Sequence, residues 1–169
     1  MVQITLGSHR VDALIEALRA GNLVAIGIVA GGQLFCLRAV LPAMAGWPGD
    51  MSAKVHQDAL TYRPHHYLRA VSAFAVFTGI ALLVLILVED DSTATRVLTA
   101  IGLAVTIVSG AISSREWPIN EEINSWGDQP KLERYAVLRR TWDYRHVRRT
   151  WLSMLAFALF VVAAVVAEH

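Results

Sequence analysis

Residues Thr141 to Trp151 read TWDYRHVRRTW: three arginines, a histidine, an aspartate and two tryptophans ahead of an apolar run that carries no charge until Glu168. On a helix, Trp142, His146 and Arg149 stand at i, i+4 and i+7 and share one face, and Arg139 joins them one turn earlier. Imidazole changes charge near neutral pH, so His146 could act as a general base, a role that typically supplies about 10²–10⁴-fold in rate. The Arg149 guanidinium could stabilise an oxyanion as it forms. Trp142 offers a flat face to a planar ligand, and Arg139 adds a second cation. Asp143 is three residues before His146, close enough for its carboxylate to orient the ring. Arg145 and Arg148 point elsewhere and suit phospholipid headgroups. The helix therefore carries two basic faces, and for the arginines alone membrane anchoring is the simpler account.

A second set lies in WPINEEIN, residues 117–124. Asn120 and Asn124 are four apart and share a face on a helix, where both could line a polar cavity. Gln33 lies deep in an apolar stretch and needs a hydrogen-bonding partner or a polar pocket. For a metal the sequence offers only weak candidates, Asp143, His146 and His65, without HxxxH or CxxC spacing. No cofactor is expected, and a metal ion is the one addition these residues would allow. No P-loop, dinucleotide fingerprint or GxSxG motif occurs. A net charge of +1 gives no sign of nucleic-acid binding.

The elements that must position these groups are membrane helices. Hydrophobic residues make up 55% of the 169, and mean hydropathy is +0.46, too apolar for an ordinary soluble domain. Runs of 18 or 19 uncharged residues separate Arg19 from Arg38, Arg69 from Glu89, Arg96 from Arg115 and Arg149 from Glu168. At 1.5 Å per residue, about 18–20 residues cross a hydrocarbon core of roughly 30 Å. The expected fold is all-α, one integral membrane four-helix domain over residues 1–169, with spans at about 19–41, 68–88, 95–114 and 149–167. Helices are required because every backbone polar group in lipid must be paired within its segment.

Ser8 is a candidate cap for a helical lead-in to the first span. Ala43-Met44-Ala45 has the small-residue look of a cleavage site, but the apolar run exceeds a usual signal segment, so a retained helix is expected. Gly27 and Gly31 have small-xxx-small spacing, which suits packing within the chain or, alternatively, a homo-oligomer contact. Between spans 1 and 2, residues 51–63 predict a short interfacial helix with Met51, Val55 and Leu60 on one side. Between spans 3 and 4, a long helical connection shows an apolar side at Leu132, Tyr135, Ala136 and Leu138 and runs unbroken into span 4. Of the 15 lysines and arginines, only Arg10, Arg19 and Arg96 fall at the termini and the 89–96 turn. The positive-inside rule then places both termini outside and the 42–67 and 115–148 connections in the cytoplasm, in a bacterial inner membrane.

The pairing of WPINEEI (117–123) with LRRTWDYRHVRRTWLSMLAF (138–157) resembles the anthrone oxygenase-like family of small four-helix integral membrane proteins. The matching positions are Gly27, Gly31, Pro42, Pro118, Asn120, Trp142, His146, Arg149 and Thr150. Where some relatives carry Glu-His before the first-helix proline, this chain has Val40-Leu41. The resemblance implies oxygenation of polycyclic phenolic carbon acids without flavin or haem. It would cast His146, Arg149 and Asn120 as catalytic residues and Trp142, Asn124, Gln33 and Arg139 as substrate-binding ones. The expected function is a membrane-bound oxidoreductase, an oxygenase of an apolar aromatic or polyketide-like small molecule at the cytoplasmic rim. The rival is a non-enzymatic lipid-binding or complex-assembly subunit. A transporter is least favoured, because no span holds a ladder of acidic residues.

Overall fold

The computed structural model describes residues 2–89 and 91–167, with side chains described for 10–60, 66–89 and 91–167. Helix α1 (Val2–Phe35) continues through a π-helical stretch (Cys36–Val40) into α2 (Leu41–Ala45). Pro42 has no N–H to donate and its ring crowds the carbonyl four residues back. The ladder widens there, and the Leu41 N–H reaches the Cys36 carbonyl. Helix α3 (Gly49–Val55) and a second π-helical stretch (His56–Tyr62) lead into α4 (Arg63–Val88). Helices α5 (Thr93–Ser114), α6 (Trp117–Asn124) and α7 (Leu132–Ala167) complete the chain. Ser92 caps α5 by accepting the Thr95 N–H at 3.2 Å, Pro118 sits in the first turn of α6, and Gly127, at φ +58°, turns the chain toward α7.

Four segments are long and apolar enough to cross a membrane: Arg10–Ala45, His66–Val88, Thr93–Asn124 and Leu132–Ala167. The fold is the expected all-α membrane bundle, with rods that overrun the expected spans because the connections are helical too. Helix α1 begins before Ser8, which therefore does not cap it; the Ser8 side chain lies outside the described residues.

Helices α1 and α4 pair, α5 and α7 pair, and α1–α7 and α4–α5 contacts close the bundle. Lipid tails are as apolar as leucine, so packing between spans relies on close approach and hydrogen bonds. Phe74, Phe77, Val84, Ile107 and Leu155 face outward, while Thr78, Thr99, Thr106, Ser109, Thr150 and Ser153 are buried. A Cβ on Gly102 would stand 3.3 Å from the Phe160 ring, and one on Gly27 3.2 Å from Phe157. Gly27 thus serves contact between α1 and α7 of one chain; Gly31 faces open space.

The two long connections fold into a cap over one end of the bundle, built on Leu41, Ala53, Ile119, Ile123, Trp126, Tyr135, Leu138 and Trp142. The short helix expected between spans 1 and 2 is present as α3, but the side it turns inward is not the expected one. Met51 is exposed, whereas Ser52, Ala53, His56 and Gln57 are buried, so the inward side is offset from the apolar one. Polar groups point inward here because the cap supplies partners: Ser52 donates to the Met44 carbonyl and Gln57 to the Ile123 carbonyl. On α7, Tyr135 and Leu138 face inward as expected, but Leu132 and Ala136 are exposed.

Candidate functional site

Where the cap meets the bundle, the inward face of α7 presents Trp142, His146 and Thr150 in succession. Trp142 and His146 are buried, their rings stacked at 4.7 Å and nearly parallel. The His146 Nε2 lies 3.1 Å from the Gln33 carbonyl oxygen. A carbonyl only accepts, so Nε2 carries the proton and Nδ1 keeps the lone pair. That lone pair accepts from Arg149, with Nε at 3.2 Å and Nη2 at 2.8 Å. Both imidazole nitrogens are therefore occupied.

Arg149 reaches further. Its Nη1 donates to Ser113 Oγ at 3.2 Å and pairs with Glu116 Oε2 at 3.2 Å. Glu116 stands in the tight turn between α5 and α6, where its N–H bonds to the Ser113 carbonyl and its carbonyl accepts from Asn120 N–H. That turn aims the side chain inward, and Glu116 is only 1% exposed.

These groups edge a cavity of about 370 Å³ among α1, α4, α5, α6 and α7. Gln33, Glu116, Asn120, Trp142 and Arg149 form its polar wall, and Leu68, Ser72 and Gly110 lie on the side between α4 and α5. At the mouth the Arg69 guanidinium lies 4.8 Å above the Trp117 ring. Four wall residues each present a buried polar atom with no protein partner: Gln33 Oε1, Glu116 Oε1, Asn120 Oδ1 and Trp142 Nε1. Buried polar groups are nearly always satisfied. Four exceptions among the residues of one wall leave hydrogen-bonding capacity beside the hollow.

The chain matches no protein-family model, no curated protein and no solved structure.

The predicted residues separate on inspection. Gln33, Asn120, Trp142 and Arg149 meet at the cavity. His146 stands behind Trp142 and Arg149 rather than on the wall. Arg139 turns into the cap, donating to Asp143 at 2.6 Å and to the Tyr135 hydroxyl at 3.0 Å. Asp143 therefore orients Arg139 and not His146, because the long i, i+4 guanidinium reaches it while the imidazole points inward. Asn124 is exposed at the end of α6 and off the cavity. Arg148 stacks on Tyr144 at the surface, as suits headgroups, but Arg145 is half-buried and donates to the Arg115 carbonyl. His65 lies outside the residues whose side chains are described. Among the described residues no three His, Cys, Asp or Glu side chains gather as a metal site would require.

Two residues the sequence did not single out belong to the site. Glu116 is one; its signal was a carboxylate directly after the arginine that ends one apolar run, at the depth where another arginine opens its antiparallel neighbour. His56 is the other, wholly buried on the far side of Trp142, ring to ring at 4.8 Å. Its Nδ1 lies 3.4 Å from the Tyr135 hydroxyl, which itself donates to the Ser52 carbonyl. Burial, assisted by the nearby Arg139 charge, pushes the His56 pKa down to about 3, so the ring is neutral at physiological pH. Trp142 thus packs against two imidazoles, face to face with His146 and edge-on with His56, which fixes its place in the wall.

Proposed function

We propose that the protein is a membrane-bound oxidoreductase, an oxygenase of an apolar aromatic or polyketide-like carbon acid, working at the cytoplasmic rim of the bacterial inner membrane. The observation that carries this is the convergence of Trp142, Asn120, Gln33 and Arg149 on one hollow, beside which Trp142, Asn120 and Gln33 each keep a buried polar atom without a hydrogen-bond partner. About 370 Å³ falls within the usual range for small-molecule sites, roughly 300–1,000 Å³. A flat phenolic substrate would lie along the cavity wall, with its oxygen toward Arg149 and the Trp142 indole N–H and its rings toward the α4–α5 side, reached from the lipid.

The chemistry suits these groups. The methylene of an anthrone-type molecule is acidic because its carbanion delocalises into a phenolate. Arg149 and the unpartnered Trp142 Nε1–H would stabilise that oxyanion, while the Asn120 Oδ1, an acceptor, would take a hydroxyl of the substrate. The carbanion gives its electrons to O₂, a C–O bond forms, and the hydroperoxide loses water. The balance is CH₂ + O₂ → C=O + H₂O.

The rival, a lipid-binding or assembly subunit, draws on the exposed Arg148 and Arg140. Those arginines leave α7 on a different side from Trp142, so they can anchor the chain without accounting for the cavity. Oxygen uptake separates the two readings. Purified protein in nanodiscs, given a hydroxyanthrone, should consume O₂ and form the quinone above a lipid-only control. Trp142→Phe, which removes the indole N–H, should slow it by about 10²-fold, the typical cost of one oxyanion donor. Uptake equal to the lipid control across a set of flat phenols, with no quenching of protein fluorescence, would remove the enzyme reading.

A further inference from the structure

We infer that Glu116, not His146, takes the substrate's proton, and that His146 is a positioning residue for Arg149; this rests on the reading just given. A general base needs a lone pair that faces the reacting atom. His146 has none free: its Nε2–H faces the Gln33 carbonyl, and Arg149 donates to its Nδ1 through two nitrogens. Freeing Nδ1 would require Arg149 to leave both the imidazole and the place where it can meet an oxyanion.

Glu116 has the opposite arrangement. One carboxylate oxygen is held by Arg149 at 3.2 Å, which fixes the side chain. The other, Oε1, has no hydrogen-bond partner, and Glu116 is one of the residues that line the cavity. The remaining nearby acids are engaged or turned away. Asp143 is held by Arg139, and Glu122 pairs with Arg134 outside the cavity.

The charge balance also favours this carboxylate. Before the step the site holds Glu116 as an anion, Arg149 as a cation and a neutral substrate. The C–H bond breaks, its electron pair stays with carbon and spreads to the phenolic oxygen, and the proton goes to Oε1. Glu116 is then neutral, and the new anion lies beside the same guanidinium. The negative charge moves from one side of Arg149 to the other, and the net charge of the enclosed site does not change. With neutral His146 as the base, the same step would create an imidazolium in contact with a guanidinium.

Deprotonation can be measured without oxidation. Under anaerobic conditions in D₂O, the methylene of a hydroxyanthrone should exchange its hydrogens for deuterium in the presence of the protein in nanodiscs, read by proton NMR. Glu116→Gln should lower the exchange rate by about 10²-fold or more. Saturation with a hydroxyanthraquinone, which has no such methylene, read by tryptophan fluorescence, gives each variant's affinity, and the exchange rates are compared at equal occupancy. Glu116→Asp keeps the carboxylate but withdraws it by one methylene; it should exchange at an intermediate rate and with a displaced pH profile. His146→Gln should slow exchange modestly and leave the pH profile in place.

Exchange by Glu116→Gln at the natural rate would overturn the inference, as would its loss in His146→Gln alone. If Glu116→Gln does not fold, Glu116→Asp decides: an unchanged rate and profile overturn the assignment. No exchange by the natural protein would overturn it together with the oxygenase reading. Exchange that ignores Glu116 would overturn the assignment alone.

Discussion

The middle of the bundle and its capped end bury polar groups in opposite ways. In the middle, hydroxyls close their bonds locally. Thr78 and Thr106 donate one turn back to Phe74 and Gly102 carbonyls, and Ser109 and Ser153 bond each other at 2.9 Å between α5 and α7. The exception is the Asn22 Oδ1, whose amide nitrogen nonetheless ties α1 to the Ala75 carbonyl of α4. At the capped end, four polar atoms around one cavity stay unpartnered, and an ion pair is enclosed beside them. The first arrangement holds helices together with small satisfied groups. The second leaves binding capacity unspent, which is sensible only where something polar arrives.

The contrast is broken most sharply by removing half of the enclosed ion pair. Arg149→Ala leaves Glu116 buried opposite no cation, and stripping one partner from a buried pair costs about 3–5 kcal/mol. Arg149→Met with Glu116→Gln should regain more than half of that loss, because the uncompensated charge is gone. Unfolding of detergent-solubilised protein measures both. A loss below about 1 kcal/mol for Arg149→Ala would mean that the rim is well hydrated and that the two regions do not differ in kind.

The sequence showed the middle of the bundle better than its end, for physical reasons. A span announces itself through the absence of charge, and the runs bounded by Arg69 and Glu89 or Arg96 and Arg115 could hardly be anything else. The inward face of α7 was equally plain, since i, i+4 and i+7 bring Trp142, His146 and Arg149 into line. What those side chains do depends on other helices. The lone pair of His146 is claimed by Arg149 only because Gln33 on α1 offers a carbonyl to the other nitrogen. Glu116 directly follows Arg115, which ends an apolar run, and a charge there reads as a boundary. His56 sat in a connector that looked interfacial, and only the folding of that connector over Trp142 buries it.

That cap makes the two regions differ in their response to acid. An unfolded histidine takes up its proton near pH 6.5, whereas His56 resists it until about pH 3. Between those values protonation favours the unfolded chain, so His56's share of stability is intact above pH 6.5 and drains as the medium is acidified toward pH 3. The slope from one such group approaches about 1.4 kcal/mol per pH unit. Thermal unfolding from pH 7 to pH 4.5 should therefore fall more steeply in the natural protein than in His56→Gln. Parallel curves would mean that His56 does not sense burial.

Access to the cavity offers a gentler perturbation. Gly110 lies on the cavity side of α5, and a Cβ there would meet no atom within 4 Å. Gly110→Leu should leave stability within about 0.5 kcal/mol of the natural protein, as expected for a substitution that touches nothing. If ligands enter between α4 and α5, the same change should weaken hydroxyanthraquinone binding by about tenfold, equivalent to about 1.4 kcal/mol. Unaltered affinity would place the entrance elsewhere, with the Arg69–Trp117 side the next to probe.

The smallest effect belongs to the middle of the bundle and tests whether it is only structural. The Ser109–Ser153 bond is one of the few side-chain links between α5 and α7, and Ser109 also donates to the Arg149 carbonyl at 3.1 Å. Interhelical hydrogen bonds in membranes average about 0.6 kcal/mol in double-mutant cycles, because the unfolded chain in lipid finds other partners. Ser153→Ala should therefore cost about that much and leave ligand binding and deuterium exchange unchanged. Ser109→Ala should cost slightly more, since it gives up the carbonyl of the residue that holds Glu116. A cycle over the two serines with a coupling near 0.6 kcal/mol and no effect on exchange would confine chemistry to the capped end. A fall in exchange in Ser153→Ala alone would instead show that the hydroxyl seam feeds the site, and the division between scaffold and cavity would have to be drawn deeper in the membrane.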